Sequence, residues 1–393
     1  MEFQIMPARR LKLLMSYGLP FYFRKPRTAM EKLRRYSFRC RFQTSGLVRP
    51  LVYLFATLSY PVSELTRSTR CFRRVRLSHP TAGLRTWWRI YWMAVSGNIP
   101  SVEYAAYDFE DAAKRSLSAE YVYWTDFPAV QMLNRWRGAD NLQVQDKGIF
   151  AGICAQLGVP YVRSIAEFRR GRQERIELPA DEPDLWVKAL NLSGSRGAEH
   201  WIAGSEGYRA HDGRLMTREQ LQAYLQTMDC LVQRRLRNHP QIDDLTNGRL
   251  ASLRIVTALH RDGRSRLLGN TLLLARRGVT STGGVSCGVA WSDGTIFSVI
   301  DHPEAKSEAA RLSPLGRTVP FWAEALELVQ HAHRVGFPKF VTLGWDVALT
   351  PDGPVLLEAN SGWGALALQQ VFGPLGLTPL SEVVEEELAA RRS

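Results

Sequence analysis

The chain has 393 residues, 45% of them hydrophobic and 23% charged, with a formal net charge of +13. That composition excludes a disordered chain and supplies enough apolar material for two or three packed domains. The charge is uneven: residues 1–90 hold 19 Lys or Arg against 3 Asp or Glu, while the remaining 303 residues balance at −3.

Residues 1–95 read as a basic, mainly helical N-terminal region, Arg-rich and aromatic, with stretches such as "LRRYSFRCRF" and "LRTWWRIYWMAV". Such a surface suits an amphipathic helical cap, a face that docks on an anionic membrane surface, or nucleic acid. Nucleic acid is the weakest of the three, because no recognised binding motif accompanies the charge. The longest apolar stretch, "LVYLFATLSYPV" at 51–62, is shorter than the about 20 residues a membrane span needs. No apolar leader with a small-residue cleavage site follows the basic N terminus. Five cysteines at 40, 71, 154, 230 and 287 lack ligand or disulfide spacing. The expected location is therefore the cytoplasm, as a peripheral protein on the inner face of the membrane.

From residue 146 onward the texture changes to alternating helices and strands. "DKGIFAGICAQLGVPYVRS" predicts a helix, a Gly stop and a Pro-led strand. "PDLWVKAL" reads as a short strand ending near Lys188, followed by a Gly/Ser loop and a further strand. "REQLQAYLQTM" is helical and "DCLVQRRL" is a strand. Strand pairs with turn dipeptides follow, interrupted by a helix at about 319–335. Runs of hairpins rather than repeating βαβ units predict an α+β protein with antiparallel sheets. His331 and His333, two apart on that helix, read as structural or solvent-exposed, and "STGGVSCG" at 281–288 as either a closing loop or a plain hairpin loop.

The stretch "VTLGWDVALTPDGPVLLEANSGWG" at 341–364 carries the chemistry. A hairpin about the PDG turn places Asp346 opposite the neighbourhood of Glu358 and Asn360, which are two apart and share a face. Converging carboxylates in apolar surroundings need a positive partner, and all-oxygen ligands favour Mg²⁺. Mg²⁺ with few protein ligands fills its shell from phosphates, so a nucleotide cradle is expected. Lys188 and the loop Asn191–Gly197 are the candidates. There is no Walker A loop and no G-x-G-x-x-G, which excludes P-loop and Rossmann readings.

The order Lys147, Lys188, Gly-rich loop, "LVQRRL", Arg254, then Asp346 and Glu358-x-Asn360 resembles the ATP-grasp superfamily. The metal triad is similar to that of the D-alanine–D-alanine ligase branch, and the wider pattern resembles the sugar-transfer-associated ATP-grasp group. This resemblance, densest over 185–365, implies an ATP-grasp fold of two α+β lobes gripping ATP. It implies a linking region at 96–180, one lobe at 181–236, a second with the metal site at 237–380, and a C-terminal helix and tail at 381–393. It further implies that Lys147, Lys188, Ser193, Gly194 and Ser195 contact the ATP phosphates. Gln233, Arg234 and Leu236 would form the adenine hinge. Arg254 and Lys188 would act on the transferring phosphate. Asp346, Glu358 and Asn360 would hold two Mg²⁺, with Mn²⁺ as a substitute, and Ser361, Gly362 and Trp363 would meet a substrate carboxylate. The ribose contact stays open among His239, Asp243 and Asp244.

The implied reaction is ADP-forming carboxylate–amine ligation through an acylphosphate. The implied substrates are carboxylate and amine precursors of polysaccharides or cell-surface glycans. A phosphotransferase using the same fold and a membrane-associated nucleotide-binding scaffold are the rival readings.

Overall fold

The computed structural model describes residues 12–22, 25–43, 48–169, 172–175, 184–190, 198–246, 249–274, 284–300 and 312–391. By packing, the chain divides into two compact units. One combines residues 1–138 with 364–393, and the other comprises 139–363.

The first unit is helical. Its main helices are α1 (Ala29–Arg41), α2 (Val48–Ser78), α3 (Leu84–Gly97), α4 (Phe127–Trp136) and, from the C-terminal segment, one at Leu380–Ala390. Thr28 caps α1 by accepting from the Glu31 N–H at 3.1 Å, and Glu31 reaches back to the Thr28 N–H, so two orphan donors are satisfied. The buried guanidinium of Arg34 donates to both oxygens of Asp126 at 3.1 and 3.3 Å. It also donates to the Tyr121 carbonyl at 2.6 Å and lies over the Tyr123 ring. Asp126 accepts in addition from Ser37 and the Tyr123 N–H. A buried ion pair survives only when its remaining donors and acceptors are satisfied in this way. The C-terminal segment joins this unit through the buried Gln369. Its amide receives the Val122 N–H at 2.8 Å and donates to Val122 O and the Tyr107 hydroxyl at 2.8 and 2.7 Å.

The second unit contains two antiparallel sheets. The first, in the order β2-β1-β7-β3-β4-β5-β6, is built from β1 (Ser164–Arg169), β2 (Arg172–Arg175), β3 (Asp184–Ala189), β4 (Glu199–Gly204), β5 (Gly207–Ala210), β6 (Leu215–Met216) and β7 (Cys230–Arg234). Leu221 and Leu225 of a helix at Arg218–Gln226 close its core over Phe168, Val187, Trp201 and Val232. The second sheet, in the order β11-β10-β9-β8-β12-β13, uses β8 (Ser252–Leu259), β9 (Ser265–Leu274), β10 (Val285–Val289), β11 (Ile296–Ile300), β12 (Thr342–Thr350) and β13 (Gly353–Asn360). Helices at Lys147–Leu157 and Trp322–Gly336 bury Phe150, Cys154 and Val329 against Trp345, Val347 and Leu356 of this sheet. The α+β class and the antiparallel sheets are those expected from the hairpin signals.

His333 is fully buried, with its ring nitrogens on Thr257 Oγ1 at 2.7 Å and Phe340 O at 2.9 Å. It is a satisfied core histidine. The stretch 281–288 begins outside the described residues and continues as β10.

The chain crosses between the two sheets at 235–251, and Asn238 organises this crossing. Its amide donates to Asp243, Thr246 and the Arg249 carbonyl at 3.0, 3.0 and 2.6 Å, and its oxygen accepts the buried Ala251 N–H at 2.8 Å. Asn238→Ala strands that N–H without its partner, and an unpaired buried donor costs about 1–3 kcal/mol. The expected outcome is a lowered denaturation midpoint with an unchanged m-value, read by urea titration.

Candidate active site

The site grows from a row across three adjacent strands. Asp346 on β12 stands opposite Arg254 on β8 and opposite Glu358 on β13. Directly opposed residues of antiparallel strands share a face. Reaching this register requires an irregularity, because the pairing slips by one residue between Asp346 and Val347. Leu357 is the extra residue. It lets Leu356 and Ala359 both enter the core while Glu358 lies on the face of Asp346, as a bulge does.

Arg254 grips the row. Its Nε and Nη2 donate to the two oxygens of Asp346, the second at 2.9 Å, and its Nη1 donates to the Trp363 carbonyl at 2.9 Å. Trp363 is itself held. Its ring lies against Gly344, where an added Cβ would overlap its own Cβ, and its Nε1 donates to Thr342 Oγ1 at 3.2 Å. The candidate substrate segment Ser361–Trp363 is thus fixed at its far end, with Ser361 and Trp363 buried and Gly362 exposed. Asn360 donates from Nδ2 to Glu358 Oε1 at 3.2 Å, which joins the two expected ligands of β13.

One lysine comes from the other sheet and one from the helix Lys147–Leu157. Lys188 lies on β3. Burial lowers its pKa, opposed by the nearby charge of Glu358 and reinforced by that of Lys147. Lys147 is the first residue of its helix and donates to the Ala189 and Leu190 carbonyls at 3.3 and 3.4 Å, at the end of β3. Burial opposes ionisation of Glu358, yet the Asn360 amide and the charges of Lys188 and Lys147 hold its carboxyl below the ordinary value. Burial pushes the Asp346 carboxyl up against the pull of Arg254, and the Glu358 charge adds to the push. Three cations and two carboxylates therefore form one interacting cluster.

Two carboxylates and one amide oxygen are hard donors, and their placement on neighbouring strands fits Mg²⁺ or Mn²⁺. The excess of cations over anions around them fits a polyphosphate.

Other expected residues have local duties. Gln233 is buried on β7 and donates to Val162 O at 3.5 Å. Arg234 is exposed and Leu236 half-buried just beyond it. Ser193, Gly194 and Ser195 lie outside the described residues. Of the three ribose candidates, His239 accepts from the Gln241 N–H, Asp243 accepts from Asn238, and Asp244 pairs with Arg317 at 2.9 and 3.0 Å.

One group escaped the sequence reading. Arg169 on β1 donates to both oxygens of Asp146 at 2.8 Å and to Glu167 at 2.5 Å. Asp146 also caps the helix that starts with Lys147, accepting from the Gly148 and Ile149 N–H groups. The arginine thereby fixes the base of Lys147. Gly148 permits its approach, because a Cβ there would lie 2.5 Å from Arg169 Nη2. A glycine in the first turn of a helix, where propensity disfavours it, was the available signal.

The depressed carboxyl of Glu358 carries a sign. Its contribution to stability is present above its ordinary value of 4.5 and is lost as pH falls through the lower folded value. Glu358→Gln removes this contribution. Its stability, measured by urea titration below pH 5, should fall less steeply with acidification than that of the parent protein.

The sugar-transfer associated ATP-grasp model matches residues 133–386. A search of curated proteins found no match. Among solved structures, the D-alanine–D-alanine ligase of Bacillus anthracis complexed with ATP is 15% identical, with 65% of this chain and 70% of that chain covered and a TM-score of 0.34. The L-amino acid ligase of Bacillus licheniformis is 13% identical, covers 72% and 60%, and scores 0.37. An N5-carboxyaminoimidazole synthase from Aspergillus clavatus is 12% identical, covers 62% and 51%, and scores 0.32. With the family model spanning well over half of its length, the chain belongs to the sugar-transfer associated ATP-grasp family.

Proposed function

We propose that the protein is an ATP-dependent, ADP-forming carboxylate–amine ligase acting in polysaccharide or cell-surface glycan biosynthesis. The observation that carries this reading is the Arg254–Asp346–Glu358 row, with Asn360 beside it, in one charge cluster with Lys188 and Lys147. The family membership supports the same reaction class.

In this reading a substrate carboxylate oxygen attacks the γ-phosphorus and ADP leaves. An amine then attacks the acyl carbon, phosphate leaves, and the amine proton is released. Lys147 and Lys188 hold the phosphates as point charges. Arg254 opposes protonation of Asp346, holds its carboxyl group in place beside Glu358, and fixes the carbonyl of Trp363. The segment Ser361–Trp363 offers backbone N–H groups to the carboxylate. Mg²⁺ held by Asp346, Glu358 and Asn360 would supply charge neutralisation for phosphoryl transfer. The arrangement asks for no protein nucleophile. Amino acids and uronic acids are the acceptor and donor classes to test first.

Three measurements check this. Incubation with ATP, Mg²⁺ and panels of carboxylates and amines should release ADP only when both partners are present, with an amide as product. A phosphate ester would identify a phosphotransferase instead. Glu358→Gln and Asn360→Ala should each lower turnover about 10³-fold or more while the fold is kept, since metal ligation is worth several kcal/mol in the transition state. Lys188→Ala should raise the KM for ATP and abolish the thermal stabilisation that ATP gives the parent protein.

A further inference from the structure

Helix α2 is apolar on two opposite sides. Its inner side buries Val52, Ala56 and Tyr60. Its outer side exposes Leu51, Leu54, Leu58, Val62 and Leu65, spaced as one helical stripe, with Leu58 and Val62 each 65% exposed. Toward its C-terminal end the outer side turns basic, with Arg70, Arg73, Arg74 and Arg76 all exposed.

Helix α3 continues this surface. Trp87 donates to Thr69 of α2 at 3.0 Å, and the two helices share an open groove of about 320 Å³ lined by Leu65, Thr69, Arg70, Arg73 and Trp87. From Trp87 the aromatic surface runs outward. Trp88 lies 6.2 Å from it and stacks on Trp92 at 6.4 Å. Trp88 is 56% exposed and Trp92 49%. A stripe of large apolar residues open to water is a face built for contact.

The charge chooses the occupant. Between residues 48 and 97 the only acidic residue is Glu64, which is buried and paired with Arg67 at 2.9 Å. A second copy would bring arginines onto arginines. Nucleic acid would match the arginines but not the leucine stripe. An anionic bilayer matches both, because its head groups take the arginines, its interface takes tryptophans, and its acyl boundary takes the leucines.

We propose that the outer faces of α2 and α3 form an in-plane docking site for an anionic phospholipid leaflet. The helices lie along the surface. Among the described residues no helix is long and apolar enough to cross a membrane.

The test is co-sedimentation of the full-length protein with phosphatidylcholine vesicles, with and without phosphatidylglycerol, at low and high salt. Binding should require phosphatidylglycerol and weaken as salt rises. The double variant Leu58→Glu/Val62→Glu should lose about a hundredfold or more in vesicle affinity with an unchanged melting temperature. Each of Arg73→Ala and Arg76→Ala should lose about fivefold. If the glutamate variant does not fold, Trp88→Ser/Trp92→Ser carries the same expectation. Absence of binding, equal binding to both vesicle types, or affinity unaffected by these changes would overturn the proposal. So would concentration-dependent dimers that the variants abolish, or tighter binding to duplex DNA than to vesicles.

Discussion

The pairing of Arg254 with Asp346 is the interaction around which the second unit's site is arranged. Two carboxylates directly opposed on neighbouring strands repel, and in a partly dehydrated site that repulsion is weakly screened. Arg254 sits on the opposite flank of Asp346, so the order across the sheet is cation, anion, anion. Lys188 of the other sheet and Lys147 at a helix start add their charges beside Glu358. The flanking cations oppose the protonation that burial favours, Arg254 at Asp346 and the two lysines at Glu358. The same guanidinium reaches the Trp363 carbonyl. It therefore couples the carboxylates to the segment that follows them.

That coupling depends on backbone detail. Were Leu357 paired regularly instead of bulged, strict alternation from Leu356 would place Glu358 on the core side. Without the glycine at 344, the Trp363 ring could not lie on the strand, and the carbonyl that Arg254 binds would move. Arg169 of the other sheet pairs with the helix cap Asp146 and so holds the start of the Lys147 helix. Asp146 and Arg169 thus support the start of that helix without being among the expected ligands. This is how a site keeps its geometry while its own charges favour dispersal.

Much of this was legible in sequence because the signals were local. The PDG turn with flanking apolar runs announces the β12–β13 hairpin. The capped helix at Lys147 and the short strand ending near Lys188 follow from punctuation and periodicity. What was not legible depends on contacts distant in sequence. Arg254 and Asp346 are 92 positions apart, and only strand order makes them neighbours, so the arginine's grip on the carboxylate could not be read from either strand. The bulge at Leu357 looks like ordinary strand sequence. The return of the C-terminal segment to the N-terminal helices rests on Gln369, 247 positions from Val122, and a glutamine within "LALQQVF" carries no such signal. Arg169 was missed for the same reason, since its partner lies 23 positions away on another element.

The first unit shows the converse relation between composition and need. Its packing is accounted for on its inner side: the Arg34–Asp126 pair with its satisfied partners, Tyr60 donating to the Ala94 carbonyl at 3.2 Å, and the core around Cys71, Ile90 and Tyr104. None of these uses the outer residues of α2. A helix whose buried side already anchors it gains nothing in stability from leucines facing water, and polar residues there would serve solubility better. The outer stripe is therefore not explained by folding. The proposed anionic leaflet would supply the missing partner, since 48–97 exposes leucines, tryptophans and arginines but no acid.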